Sequence, residues 1–94
     1  MKPGDLVQPV HIGSGVPCDR VVFLGDKLPW YEAVGMVGER HPFPSGSIAL
    51  LLEEQVVHLR EAKQEPRVFC KILTSDDKVG WLHESWIGVV NEAR

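Results

Sequence analysis

The chain has 94 residues, of which 44% are hydrophobic and 24% are charged, and its formal net charge at pH 7 is −3. This length fits one globular domain with one hydrophobic core, spanning residues 1–94. Because 10 Lys and Arg residues are outnumbered by 13 Asp and Glu residues, the composition disfavours a protein that binds nucleic acid mainly by neutralising phosphates.

Short apolar runs separated by turn residues predict β-strands in the first part of the chain. Residues 5–10 (DLVQPV) fit a first strand that ends early or lies at a sheet edge, because Pro9 has no backbone N–H. A glycine-containing loop follows. Arg20–Leu24 then has the β-branched and aromatic residues of a short strand, and residues 25–27 (GDK) should form its turn.

The next stretch, residues 25–46, is predicted to be a long loop region that carries aromatic residues. Trp30 and Tyr31 follow Pro29 in it, and residues 41–46 (HPFPSG) contain further loop-forming residues. Between them, residues 33–37 are an irregular candidate for a short strand.

Residues 47–65 have two possible structures. Apolar residues from Ile48 to Ala62 recur at helical spacing without an intervening Gly or Pro, which is typical of a helix. Three features favour a strand instead. They are the continuous apolar run after Ser47, the β-branched pair Val56-Val57, and Pro66, which disfavours a helical backbone at the residue before it. We predict a strand over residues 48–58 and keep the helix as the alternative.

The last third of the chain has the clearest pattern. Residues 74–78 (TSDDK) are typical of a type I hairpin turn, so the strands predicted at 68–73 and 79–82 should pair antiparallel. After them, His83, Glu84 and Ser85 form a polar break between two apolar pieces, which predicts a 3₁₀ turn near residues 83–86.

Potential catalytic and metal-binding residues are present but isolated. The four histidines and two cysteines form no Cys-x-x-Cys or His-x-x-x-His pair, Glu53 and Glu54 are adjacent and should point to opposite faces of a strand, and no Gly-rich phosphate loop occurs. We therefore expect no catalytic residues, no metal and no cofactor, and thus no enzyme. Cys18 and Cys70 are expected to be free thiols.

The location is predicted from what the sequence lacks. No apolar run approaches the roughly eighteen residues of a membrane span, and residues 1–5 (MKPGD) lack the apolar core of a secretion signal. We expect a protein that is made in the cytoplasm and has no membrane partner.

Four large aromatic residues are candidates for core or contact positions. Trp81 is assigned to the core or to cover of a sheet edge, whereas Trp86 fits core and contact surface about equally. Trp30 and Tyr31, in the predicted loop, are harder to place in a core. Trp30, Tyr31 and Trp86 are therefore the candidate partner-binding residues.

Both ends of the chain resemble a known fold family. Residues 2–7 (KPGDLV) resemble the opening strand of small SH3-like and KOW-like barrels, and residues 80–87 (GWLHESWI) resemble the end of an SH3 domain. The chain also resembles short SH3-like proteins of tailed phages. This resemblance implies an all-β fold, a partly open barrel of about five or six antiparallel strands.

The resemblance also bears on function. The early Ala-Leu-Tyr-Asp-Tyr type run and the proline of the 3₁₀ turn found in peptide-binding SH3 domains are absent, so polyproline recognition is not expected. The predicted function is a non-enzymatic, protein-binding or structural accessory module, such as a phage virion component that docks on a capsid or tail protein. The alternative is a KOW-like nucleic-acid or ribonucleoprotein binder, which would need its Lys and Arg residues on one face.

Overall fold

A computed structural model describes residues 1–31, 35–58 and 66–90 of the chain. Nine strands and one 3₁₀ turn lie in these residues, and none of them forms an α-helix. The strands are β1 Leu6–Pro9, β2 Arg20–Leu24, β3 Trp30–Tyr31, β4 Gly35–Met36, β5 Arg40–Phe43, β6 Ala49–Val57, β7 Arg67–Thr74, β8 Val79–His83 and β9 Ile87–Val89, with the 3₁₀ turn at Glu84–Trp86.

Seven of the strands form one antiparallel sheet that curls into a half-barrel. Their order is β5-β2-β8-β7-β6-β1-β9, and β3 pairs with β4 in a separate two-stranded sheet. The predicted all-β, partly open antiparallel barrel with one 3₁₀ turn is confirmed. The sheet has seven strands, one or two more than expected, because β5 forms in the stretch predicted as loop and pairs with β2.

The strand predicted over residues 48–58 is also confirmed, and the helical alternative is wrong there. β6 runs from Ala49 to Val57 and pairs with β7 along nearly its whole length, with an irregularity in the register between Leu51 and Glu53. This bulge explains the misleading spacing, since an extra residue in a strand shifts the apolar positions out of strict alternation.

The first strand ends early, which is one of the two alternatives predicted for it. β1 ends at Pro9 and lies between β6 and β9. One other prediction needs correction, because Trp30 and Tyr31 were expected in a loop, whereas their backbone forms β3 and pairs with β4. The turn residues around this short hairpin favoured a loop over the two-residue strands.

The core lies on one face of the curled sheet. It consists of nine buried residues contributed by all seven strands of that sheet: Val7, Val22, Phe43, Ala49, Leu51, Cys70, Ile72, Leu82 and Ile87. Trp81, which is 1% exposed, is buried outside this cluster. Because neighbouring side chains on a strand point to opposite faces, Trp81 lies across the sheet from Leu82 and beside its partner Phe23 on β2.

The β7–β8 hairpin is confirmed, and its turn contains one strained residue. The N–H of Asp77 donates to the carbonyl of Thr74 at 3.1 Å, which closes the turn. The hydroxyl of Thr74 accepts from the N–H of Lys78 at 3.0 Å. Asp77 has a φ of 63°, so this non-glycine residue occupies the left-handed region.

Replacing Asp77 by glycine is expected to raise the free energy of unfolding by about 0.5–1 kcal/mol, because glycine has no Cβ to penalise a positive φ. Urea denaturation of the wild type and of Asp77→Gly measures the change. Asp77→Ala is the control, since it removes the same carboxylate and keeps the Cβ. Equal stability of the two variants would contradict the assignment of strain.

Candidate functional site

Trp86 occupies a fixed position at the end of the 3₁₀ turn. The turn begins after His83, whose ring accepts from the N–H of Ser85, and it ends where the N–H of Ile87 donates to the carbonyl of Glu84. The carbonyl of Trp86 accepts from the N–H of Val10 at 2.9 Å. The Trp86 side chain is half-buried and packs against the core, so one part of the ring is anchored and another remains accessible.

Arg20 lies over the Trp86 ring. Its guanidinium carbon is 5.7 Å from the centre of the Trp86 ring, and its Nε donates to the carbonyl of Val10 at 3.1 Å. The same residue, Val10, therefore holds the Trp86 backbone with its N–H and the Arg20 side chain with its carbonyl. This arrangement orders the Arg20 guanidinium before any ligand arrives.

These two side chains form part of a shallow depression, which we call the Trp86 groove. Its volume is about 390 Å³, and it is lined by Asp19, Arg20, Val21, Phe23, Arg40 and Trp86. The volume is at the lower end of the range for ligand pockets, roughly 300–1,000 Å³. The groove therefore has room for a few side chains of a partner.

A second arginine in the groove repeats the arrangement of the first. The guanidinium carbon of Arg40, on edge strand β5, is 5.6 Å from the centre of the Phe23 ring. Arg40 and Phe23 are partners in the β2–β5 pairing, so the sheet register places them together. Each arginine of the groove thus lies above an aromatic ring.

The groove carries a positive charge in an otherwise acidic protein. Two arginines and one aspartate line it, which gives a local charge of +1 against −3 for the chain. No carboxylate forms an ion pair with Arg20 or Arg40 within the described ranges. Asp19, the acid that lines the groove, accepts from the N–H of Ser45 at 2.8 Å. Lys71, by contrast, is paired with Asp26 at 2.6 Å and with Glu53 at 3.6 Å.

His83 lies beside the Trp86 ring. Its ring meets Phe69 edge-on at 5.4 Å and lies 5.8 Å from the Trp86 ring. Its Nδ1 accepts from the N–H of Ser85 at 3.1 Å, which requires the ring proton on Nε2. Burial, with a contribution from Arg67, lowers the pKa of His83 although Glu84 acts in the opposite direction.

Stability is therefore expected to fall as the pH decreases from about 6.5. A histidine whose pKa is lower in the folded state takes up its proton preferentially in the unfolded chain, so its contribution is complete above pH 6.5 and is lost below. Urea midpoints between pH 8 and pH 5.5 measure this. His83→Asn keeps a capping acceptor but does not titrate in this range, and its midpoint should decrease less. Parallel pH dependences would contradict this role of His83.

The structure brings one of the three predicted contact residues into the groove. Trp86 lies in it, whereas the side chains of Trp30 and Tyr31 lie outside what the structure describes. Sequence reasoning included Arg20 and Arg40 only among the basic residues of the nucleic-acid alternative, and it assigned no contact role to Phe23. A signal for Arg20 was the pattern of β2, in which a charged residue begins an otherwise apolar strand.

Neither Cys70 nor His41 has the surroundings of a catalytic residue among the residues that the structure describes. Cys70 is fully buried, and burial raises the pKa of its thiol to about 12, which makes it an inert core residue. His41 Nε2 is 2.7 Å from Asp76 Oδ2 beside a smaller depression, but no serine or cysteine of the described residues hydrogen-bonds to His41. Such a bond would be needed to activate a nucleophile.

Within residues 1–31, 35–58 and 66–90, no three His, Cys, Asp or Glu side chains come together as a metal site. The same part of the chain contains no helix with the length and hydropathy to cross a membrane. In comparisons with protein-family models, curated proteins and solved structures, the chain matches none of them.

Proposed function

We propose that the protein is a non-enzymatic, protein-binding accessory module that docks on a larger, repeated assembly such as a phage particle, with a capsid or tail protein as partner. The observation that carries this proposal is the Trp86 groove, in which an anchored aromatic ring and two ordered arginines are accessible to a partner. Trp and Arg are the residues most often found at the energetic centre of protein interfaces.

The relation to SH3-like barrels is part of the same proposal. It is supported by the positions of the two chain ends that carry the resemblance, since β9 follows the 3₁₀ turn and pairs with β1 over three residues. The groove lies where β2, β5 and this turn meet. A rigid barrel that presents a binding surface at such a junction is a common way for a small domain to recognise a protein.

The test is affinity capture from the native source, with the mass of the free chain in solution measured beside it. Wild type and Val56→Ser, which removes an apolar side chain 51% exposed outside the groove, should recover the same assembly protein. Val21→Glu, which alters a groove residue that is 39% exposed, should not. Recovery that is equal for all three chains would refute docking through the groove.

A KOW-like nucleic-acid binder is the alternative. It would require Arg20, Lys27, Arg40, Arg60, Lys63, Arg67, Lys71 and Lys78 on one face. Arg20 and Arg40 share the groove, but Lys71 is occupied by two acids, and Arg60 and Lys63 lie outside the described residues. Retention of RNA or DNA that decreases steeply with salt would favour this alternative over the protein-binding module.

A further inference from the structure

The chemistry of the Trp86 groove indicates what kind of partner segment it takes. Arg20 uses its Nε to hold the Val10 carbonyl, and its terminal N–H groups have no partner among the described residues. Arg40 is exposed and lies over Phe23, and no hydrogen bond or ion pair engages its side chain in that part of the chain. A guanidinium stacked on a ring keeps its planar N–H edge for a ligand, and that edge matches the two oxygens of a carboxylate.

Apolar surface lies directly beside these charges. Val21 is 39% exposed between Arg20 and the rest of β2, and the half-buried Trp86 ring forms another wall. A ligand that only carried charge would leave this surface in water. The groove therefore favours a segment that combines an acidic side chain with an apolar one.

The order already present in the groove lowers the cost of binding. Arg20 is fixed by a hydrogen bond and a ring, and Arg40 by a ring and the strand register. Immobilising a free arginine costs side-chain conformational entropy, and here much of that cost has been met in folding.

Charge complementarity selects a peptide over a nucleic acid. The groove has a charge of +1, while the chain as a whole has −3. A short acidic segment meets only the local positive charge. A polyphosphate chain would extend beyond the groove over a protein whose net charge is −3, which opposes its binding.

We infer that the Trp86 groove binds a peptide segment in which Asp or Glu stands next to an apolar residue, with the carboxylate on Arg20 or Arg40 and the apolar side chain against Val21 and Trp86. This inference rests on the proposed function and specifies the partner. Charged hydrogen bonds then determine which segment binds, and the apolar contact adds affinity.

The test begins with selection from a random-peptide display library on the immobilised chain. A selected peptide is then synthesised with its own sequence and with Asp and Glu replaced by Asn and Gln. We expect selected sequences to pair an acid with an apolar residue, and the amide version to bind at least about tenfold more weakly. The Nε–H signal of Arg20 and the indole N–H signal of Trp86 should shift on binding in NMR spectra.

Variants of the chain test whether Arg20 and Arg40 bind the carboxylate of the peptide. Arg40→Gln, at an exposed position, should weaken the binding of the acidic peptide about tenfold and leave the binding of the amide version nearly unchanged. Lys78→Gln removes the same charge from the β7–β8 turn and should change neither. Arg20→Lys keeps the charge but removes the planar guanidinium edge, so it should also weaken the binding of the acidic peptide.

Each other outcome overturns the inference in a recognisable way. Selected peptides without acids, if Val21→Glu still abolishes their binding, would refute the carboxylate and leave the protein-binding module intact. Tighter binding of single-stranded oligothymidylate than of any acidic peptide, reduced by Arg40→Gln and by salt, would refute the peptide and the module together. Selection of no peptide, with assembly capture still sensitive to Val21→Glu, would refute only the short-segment recognition.

Discussion

Replacing Gly80 by alanine is expected to destabilise the protein by about 3 kcal/mol, because the added methyl group would overlap its neighbours. A Cβ at Gly80 would lie 2.3 Å from Cγ1 of Val22 and 2.7 Å from the carbonyl oxygen of Phe23. Val22 is fully buried, and the Phe23 oxygen belongs to the backbone of β2. Relief therefore requires β2 and β8 to separate.

The measurement is equilibrium denaturation, with Gly88→Ala as the control. Gly88 also lies in a strand, but a Cβ there would have its nearest contact at 3.4 Å, on Val10 Cγ1, which is close to ordinary packing. We expect Gly88→Ala to change the free energy of unfolding by less than about 1 kcal/mol. A Gly80→Ala variant as stable as Gly88→Ala would show that β2 does not approach β8 this closely.

Truncating Phe43 to alanine is expected to cost about 3–5 kcal/mol, the usual range for removing a buried aromatic ring. Phe43 is 1% exposed at the end of β5 and belongs to the core cluster. β5 pairs with β2 alone, so this ring is the main apolar anchor of the edge strand. Its loss should also displace Arg40, three residues earlier on β5.

Two readouts separate these effects. Urea denaturation measures the stability, and the NMR signals of β5 report whether the strand has detached. Phe43→Leu keeps most of the apolar volume and should cost about half as much or less. A stable Phe43→Ala variant with unchanged β5 signals would mean that backbone pairing alone holds the edge.

The β7–β8 hairpin and the 3₁₀ turn could be predicted from the sequence because their contacts are local. Turn residues 74–78 and the polar break at His83 specify the β7–β8 hairpin and the 3₁₀ turn through interactions only a few residues apart, such as Thr74 with Lys78 and His83 with Ser85. These predictions needed no knowledge of the rest of the fold.

Elements that depend on distant pairing were not predictable in the same way. β5 contains Pro42 and has low strand propensity, yet it forms because β2 offers an open edge and Phe43 fills the core. The site depends on such pairing too. Arg20 lies 66 residues from Trp86 in sequence, and the pairing of β2 with β8, which leads directly into the 3₁₀ turn, brings the two together.

Pro42 on β5 affects whether neighbouring copies of the protein can pair through their sheet edges. When many copies of a small barrel lie close together, an exposed sheet edge can form backbone hydrogen bonds with the edge of a neighbouring copy and start a fibre. On β5, Pro42 has no N–H to give to an incoming strand, and on the opposite border β9 is only three residues long. Many copies bound close together on an assembly would therefore not pair through these two edges.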